Sequence, residues 1–414
     1  MRNVLILYCN TTFPMRATIH DHLYAFREYG KSLRCYYVNL DLRGLPRYLE
    51  AIAFDAILFH TTFLSKRWYP EVFREYQRKV EPLKRSGALK IALPQDEFIH
   101  TDILGEFIDA FEIDQVFSVA PESEWPKIYP SVNRERVRFE TLLTGYLSDA
   151  TLARIEALAA KHTSRAIDVG YRAWRAAAWL GRHGILKARI DDVFKEAAPR
   201  KGLVVDVSTD PADTFLGDDW YAFLLRCKYT IGVEGGASIL DRDGALKAKT
   251  EAYTQLHPEA GFEEIEANCF PGRDGSLALF AISPRHLEAC ATRTCQILIE
   301  GDYNGILEAD RHYIALKPDF SNLDEVLELV SSDHLRENVT RQAYQDIVQS
   351  GRYTYRHYVE AIFGASPPPK HRTPQQRVRE AFWFAWARLE DAAIPGAYRF
   401  YRAWLRPLRQ RLRR

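Results

Sequence analysis

Four clusters in this chain carry residue types that can do chemistry. The first is DVGYRAW, residues 168–174, followed fifteen positions after Arg172 by Lys187. An arginine at a strand end and a lysine on the next helix can clamp a diphosphate, the guanidinium as a fork and the ammonium as a point charge. The same pair also reads as two surface cations in salt bridges. The second cluster is GVEGGAS, residues 232–238, with Glu234, Gly235, Gly236 and Ser238. Glycines after a strand let a phosphate approach the backbone, although the pattern is not GxGxxG and suits a tight turn as well. The third is PQDEFIHTD, residues 94–102, where Asp96, Glu97 and His100 crowd one strand-to-helix junction. A histidine beside carboxylates can be held in one tautomer to move a proton or bind a sugar hydroxyl, while Thr101 or Asp102 caps the following helix. The fourth is SPRHLEACATRTCQILIEG, residues 283–301. Its Glu288, on a helix just before a short apolar strand, can hold a ligand hydroxyl or simply pair with Arg285.

These clusters sit at predicted strand ends, so the scaffold must gather strand ends. Apolar runs predict strands at 4–8, 35–40, 56–60, 90–93 and 115–119. They alternate with helical patterns at 17–29, 45–53, 69–85, 103–111 and 122–129. Residues 130–165 are polar and read as a linker with a helix near 149–161. A second series places strands at 166–170, 203–207, 229–233, 296–299 and 313–316, between helices at 184–196, 220–225, 245–256, 323–330 and 335–349. Such alternation means α/β architecture with parallel sheets covered on both faces. The expected organisation is two tandem Rossmann-like, doubly wound domains, residues 1–150 and 163–350, then terminal helices and a tail over 351–414. Ligands bind outside the carboxyl ends of such strands, so two facing sheets enclose a cleft.

Over 414 residues the net charge is +1, which gives no global reason to expect nucleic acid. The average hides an asymmetry. Residues 370–414 hold 12 Lys and Arg against 3 Asp and Glu, leaving 44 against 52 in the body. The six cysteines form no C-x-x-C and have no histidine at metal-ligand spacing, so neither a metal nor a cofactor is expected. Asp241, Arg242 and Asp243 resemble a DxD pattern but read as a turn with Gly244. The cysteines lie in apolar runs, as in a reducing cytoplasm, and no apolar run reaches the ~20 residues of a membrane span. In the tail, after Ser366 and three prolines, helices at 375–390 and 397–414 interleave Phe382, Trp383, Phe384, Trp386, Tyr398, Phe400, Tyr401 and Trp404 with arginines. That mixture suits the inner face of an anionic membrane first, packing or self-association second and nucleic acid last.

Taken together, these blocks resemble bacterial glycosyltransferases of the spore-maturation type, grouped with glycosyl transferases group 1, which have the GT-B fold. The resemblance covers about residues 165–363 best. It is carried by RHLEACATRTCQILIEGDYNGIL and by LDEVLELVSSDHLRENVTRQAYQDIVQSGRYTYRHYVEAI. It implies transfer of a sugar from a nucleotide sugar to a polysaccharide, glycolipid or lipid-linked acceptor, with retention and without a metal. It also implies that Glu288 holds the ribose hydroxyls, that Arg172 and Lys187 neutralise the diphosphate, and that His100 lies near the donor sugar. One departure is plain: Phe280 stands eight positions before Glu288, where related enzymes often carry a second glutamate. A non-catalytic scaffold that binds sugar nucleotides or polysaccharide, and a sugar-nucleotide epimerase or hydrolase, are the alternatives.

Overall fold

Alternating apolar strands and amphipathic helices wind the first part of the chain into one six-stranded parallel sheet, in a computed structural model that describes residues 1–162, 164–365, 367–400 and 403. In chain order the elements are β1 (Arg2–Tyr8), α1 (Ala17–Tyr29), β2 (Leu33–Asn39), β3 (Ala56–Phe59), α2 (Thr61–Leu64) and α3 (Pro70–Val80). They continue with β4 (Leu89–Ala92), α4 (Thr101–Ala110), β5 (Gln115–Ser118), α5 (Trp125–Ile128) and β6 (Arg138–Thr141). The strand order is β2-β1-β3-β4-β5-β6. β1 reads as a continuous apolar run because both its faces are buried: Leu5 and Leu7 enter one core, Val4, Ile6 and Tyr8 the other. The stretch expected as a linker contains β6. This edge strand, RFET, leaves its ends exposed, so it lacks the apolar run of a central strand.

After α6 (Asp149–Ala159) a second parallel sheet forms. Its elements are β7 (Ile167–Arg172), α7 (Gly181–Arg200), β8 (Val205–Ser208), α8 (Asp218–Arg226), β9 (Cys227–Gly232), β10 (Gly235–Ala237), α9 (Ala245–Leu256) and α10 (Phe262–Cys269). Then come β11 (Leu279–Ala281), α11 (Pro284–Ala291), β12 (Cys295–Ile299), β13 (Ile314–Leu316), α12 (Leu323–Leu329) and α13 (Asp333–Ala343). Five strands pair in the order β13-β12-β9-β7-β8, and β10 with β11 makes a separate antiparallel ribbon. Large residues fill one face: Tyr229 and Ile231 of β9 pack with Ile297 and Ile299 of β12. The other face carries Gly170, Thr230 and Gln296 in register; Phe223 of α8 packs directly on Gly170, while Thr230 and Gln296 line an open chamber. Two doubly wound sheets in tandem are the GT-B arrangement.

The turn at Asp241 joins the domains. His100 N donates to Asp241 O at 2.8 Å, Asp241 N donates to Phe98 O at 2.8 Å, and Arg242 pairs with Asp102 at 2.6 Å. The Asp241 carboxylate accepts from Gly244 N and Lys247 N, so the DxD-like stretch is a turn that caps α9. Gly244 has φ +85°, and any Cβ there would strike the His100 ring.

The chain then returns to the first domain. α14 (Tyr355–Phe363) lies against α1, with Tyr358 beside Phe26. α15 (Pro374–Phe400) is one helix through residue 400 where two were expected, and it packs along the β2 edge. Residues 401, 402 and 404–414, with Tyr401 and Trp404, lie outside the described residues, as does Ser366.

Candidate functional site

Two connected chambers open between the domains, of about 590 and 350 Å³. They share Asp96, Phe98, Lys187, Gly235, Gly236 and Ser283, so they form one cleft. Its walls are the carboxyl ends of both sheets, as expected for doubly wound folds. At the centre, Lys187 of α7 and Asp96 of the β4–α4 loop face each other from opposite domains. Neither side chain has a hydrogen bond or salt bridge to the protein among the described residues. Burial raises the Asp96 pKa against the pull of Arg67 and Lys187. Burial also lowers that of Lys187, helped by Arg285 and opposed by Asp96.

Arg285, in the first turn of α11, is the second cation of the cleft. It donates to the Arg172 carbonyl and lies 5.3 Å over the Trp220 ring. Gly235 and Gly236 bring backbone to the same place. Gly236 has φ +110°, and a Cβ there would lie 1.9 Å from Leu279 O, so only glycine fits the ribbon. The larger chamber is aromatic, lined by Tyr171, Trp174, Trp179 and Trp220. At its inner end Gln296 Oε1 is buried without a hydrogen-bond partner among the described residues. His286 lines the same chamber, and Ser283 N donates to its Nδ1 at 3.0 Å, so Nε2 carries the proton. Burial pushes His286 down to about 3, which keeps the ring neutral.

The smaller chamber carries a histidine pair that the sequence reading did not single out. His22 Nδ1 and His60 Nε2 are 2.8 Å apart. Thr62 N donates to His60 Nδ1, so His60 Nε2–H donates to His22, leaving His22 Nε2 as the protonated nitrogen. Burial pushes His22 down to about 4. His60 directly follows β3, in the sequence HTTF, and caps α2; a polar residue at a strand's carboxyl end was the available signal.

The structure commits several sequence-selected side chains to partners within the protein. The Arg172 guanidinium is committed to Asp206 Oδ1 at 2.7 Å, Asp206 O at 2.9 Å and Asp213 O at 3.0 Å, with Phe223 under it. It is a clamp for the β7–β8 region, and Arg285 stands where a cation faces the chamber. Glu288 is buried and accepts from Trp220 Nε1 at 2.8 Å. Burial raises its pKa, and the Trp220 bond opposes that. It does not line the cleft and reaches it only through the indole that it orients. The Glu234 carboxylate accepts from Tyr303 N at 2.7 Å, and Ser238 donates to Asp274 at 2.7 Å, so both hold loops. Glu97 is fully buried and accepts from Ser118, Val119 N and Tyr129. His100 packs on Gly244 at the domain junction, and its Nδ1 has no partner among the described residues. Phe280 stacks on His183, their centroids 4.0 Å apart. Of the residues selected by sequence, Asp96, Arg172, Lys187, Gly235 and Gly236 line the cleft, Arg172 with its guanidinium bonded to Asp206 and Asp213. Among the described residues no group of three or more His, Cys, Asp or Glu is placed to hold a metal ion.

No family model matches the chain, and no curated protein does. Among solved structures it is similar to Anabaena HepE in complex with UDP-glucose, at 9% identity over 88% of this chain and 100% of that one, with TM-score 0.47. It is also similar to the DNA-modifying enzyme β-glucosyltransferase, at 12% identity over 88% and 99%, with TM-score 0.48. The similarity to TarM, at 12% identity, covers 75% of this chain and 54% of that one, with TM-score 0.38. These likenesses assign no residue and no activity to this chain.

Proposed function

We propose that the cleft binds a nucleoside diphosphate sugar and transfers the sugar to a hydroxyl of a glycan, glycolipid or lipid-linked acceptor. The observation that carries this reading is the pair Lys187 and Arg285, two cations that line the cleft and form no salt bridge among the described residues, beside the Gly235–Gly236 backbone. A dianionic diphosphate supplies the missing charge. The aromatic walls offer flat surfaces for a nucleobase, and the inner Gln296 and His286 offer an acceptor and a donor for its edge or the ribose.

In the reaction, the bond from the anomeric carbon to the diphosphate oxygen breaks and its electron pair leaves with the diphosphate. The acceptor oxygen forms the new bond to that carbon. Its proton passes to the Asp96 carboxylate, which faces the same chamber. Lys187 and Arg285 are fixed before the charge develops, so they stabilise the departing diphosphate more than the intact donor. The raised Asp96 pKa makes it a better proton acceptor than an ordinary exposed carboxylate. A single displacement of this kind inverts the anomeric carbon. Retention, which the family resemblance implies, needs no carboxylate base at Asp96.

Turnover of a panel of nucleoside diphosphate sugars, read as acceptor-dependent release of the nucleotide, tests the proposal. Asp96→Asn loses at least about a hundredfold in kcat, and nuclear magnetic resonance shows an inverted product. Binding without turnover assigns a scaffold, and full activity of Asp96→Asn with a retained product assigns the retaining mechanism.

A further inference from the structure

We propose that α15 is a docking helix whose outward face seats on a bilayer surface bearing anionic headgroups. Its inward face is pinned to the first domain. Glu380 is 1% exposed, accepts from Asn3 Nδ2 at 2.8 Å and Ala53 N at 2.9 Å, and pairs with Arg372. Trp383 stacks on Tyr48 and Phe384 meets Tyr36. Glu390 takes Arg43 at 2.6 Å and Asp391 takes Arg27 at 2.9 Å. These three are all the acidic residues of 370–414, and every one is spent on the body.

The outward face has the opposite character. Val378, Phe382, Trp386, Leu389 and Phe400 are 73, 61, 47, 67 and 58% exposed. At about 100° per residue they fall within an arc of roughly 80°. Arg377, Arg388 and Arg399 flank that arc on one side and Arg379 on the other, all exposed and none with an acidic partner among the described residues. An apolar stripe flanked by arginine is the pattern of a helix lying in a membrane interface. The sequence beyond residue 400 adds six arginines and no acid, which continues the charge complementarity to anionic lipid. Among the described residues no helix is long and apolar enough to cross a membrane, so the contact is a surface one.

The direction of α15 gives the contact a purpose. The helix starts beside Asn3 at the beginning of β1 and brings Tyr398 against Phe13 in the loop after β1, their rings 5.9 Å apart. Its last described turn, with Tyr398 and Arg399, therefore lies on the side of the first domain where His22 and Asp96 open into the cleft. The docking stands on these observations alone. The acceptor class it indicates, a hydroxyl carried on a lipid anchor, rests on the glycosyl-transfer reading.

The test is cosedimentation of the full chain with vesicles of phosphatidylcholine alone and of phosphatidylcholine mixed with phosphatidylglycerol. The wild type binds the mixed vesicles at least about tenfold better, and binding weakens with salt. Phe382→Asp with Trp386→Asp abolishes binding, and Arg388→Ala with Arg399→Ala weakens it roughly tenfold or more. The arginine variant keeps the wild-type melting temperature, because Arg388 and Arg399 are exposed; Phe382→Asp with Trp386→Asp also loses the Trp386 bond to Glu390, so its binding is read at a temperature where it is folded. Equal binding to both vesicles, no binding, or unchanged binding by the variants overturns the proposal. So does a concentration-dependent dimer that Phe382→Asp dissolves, which assigns the stripe to a second copy. Nucleotide binding measured on the same variants without lipid separates failure of docking from failure of the transfer reading.

Discussion

Arg67 Nη2 donates to the main-chain carbonyl of Asp96 at 2.6 Å, tying a fully buried cation to the carboxylate residue at the centre of the cleft. The same guanidinium reaches Gln95 O, Ile99 O and Leu64 O. Asp96 and His100 sit at φ +54° and +50°, a conformation that L-residues hold only when their surroundings enforce it. Arg67 supplies that enforcement. Arg67→Met should therefore destabilise the fold by about 2–3 kcal/mol, from carbonyls left buried and unpaired. On the folded fraction it should lower kcat more than donor affinity, because it displaces Asp96 and leaves Lys187 alone. Urea denaturation with steady-state kinetics checks both.

Arg172 makes a contrasting case. Its guanidinium bonds hold Asp206 and Asp213, so Arg172→Gln should cost about 1–3 kcal/mol of stability while leaving nucleotide affinity within about twofold at a temperature where the variant is folded. Calorimetric titration of the folded variant reads this. A large loss of diphosphate affinity would place Arg172 in the ligand site.

Gln296 Oε1, at the inner end of the larger chamber, has no hydrogen-bond partner among the described residues. Gln296→Leu should leave stability unchanged or raise it by about 1 kcal/mol, since an unmet polar group is removed. Nucleoside diphosphate binding should weaken about tenfold, while pyrophosphate, which has no base or ribose, should bind as to the wild type. Equal effects on both ligands would contradict a nucleoside contact at the inner end.

The buried histidines predict a pH dependence. Burial holds His22 near 4 in the fold, below the ~6.5 of an unfolded chain. Between those values the unfolded state binds the extra proton, so this contribution to stability is present at neutral pH and lost as pH falls. Buried carboxylates with raised pKa, such as Glu97 and Glu288, act in the opposite sense. A variant comparison isolates the histidine: the stability advantage of wild type over His22→Asn should shrink by on the order of 2–3 kcal/mol from pH 7 to pH 4.5. A constant difference would mean that His22 takes up its proton in the fold.

Much of the scaffold was legible because buried parallel strands and amphipathic helices have distinct periods. α1 and α9 fall on the expected residues. β6 escaped because an edge strand needs no apolar run, and the β10–β11 ribbon because three-residue strands of GGA and LFA carry no period. The site was less legible because chain position does not determine where a long side chain points. Arg172 lies at a strand end as read, but Asp206 and Asp213 turn it inward. Glu288 lies on its helix as read, but Trp220 claims it. Arg285, three positions earlier on that helix, emerges on the cleft side instead. In the tail, helical spacing separates inward Trp383 and Phe384 from outward Phe382 and Trp386, a division visible only once the whole stretch is one helix.

The central claim is that Lys187 and Arg285 hold a diphosphate, and calorimetric titration of nucleoside diphosphates and monophosphates into wild type, Lys187→Ala and Arg285→Ala tests it most directly. The account predicts that the wild type prefers the diphosphate by at least about tenfold and that each substitution removes most of that preference. Undiminished diphosphate affinity in the double variant, with the fold intact, would contradict it.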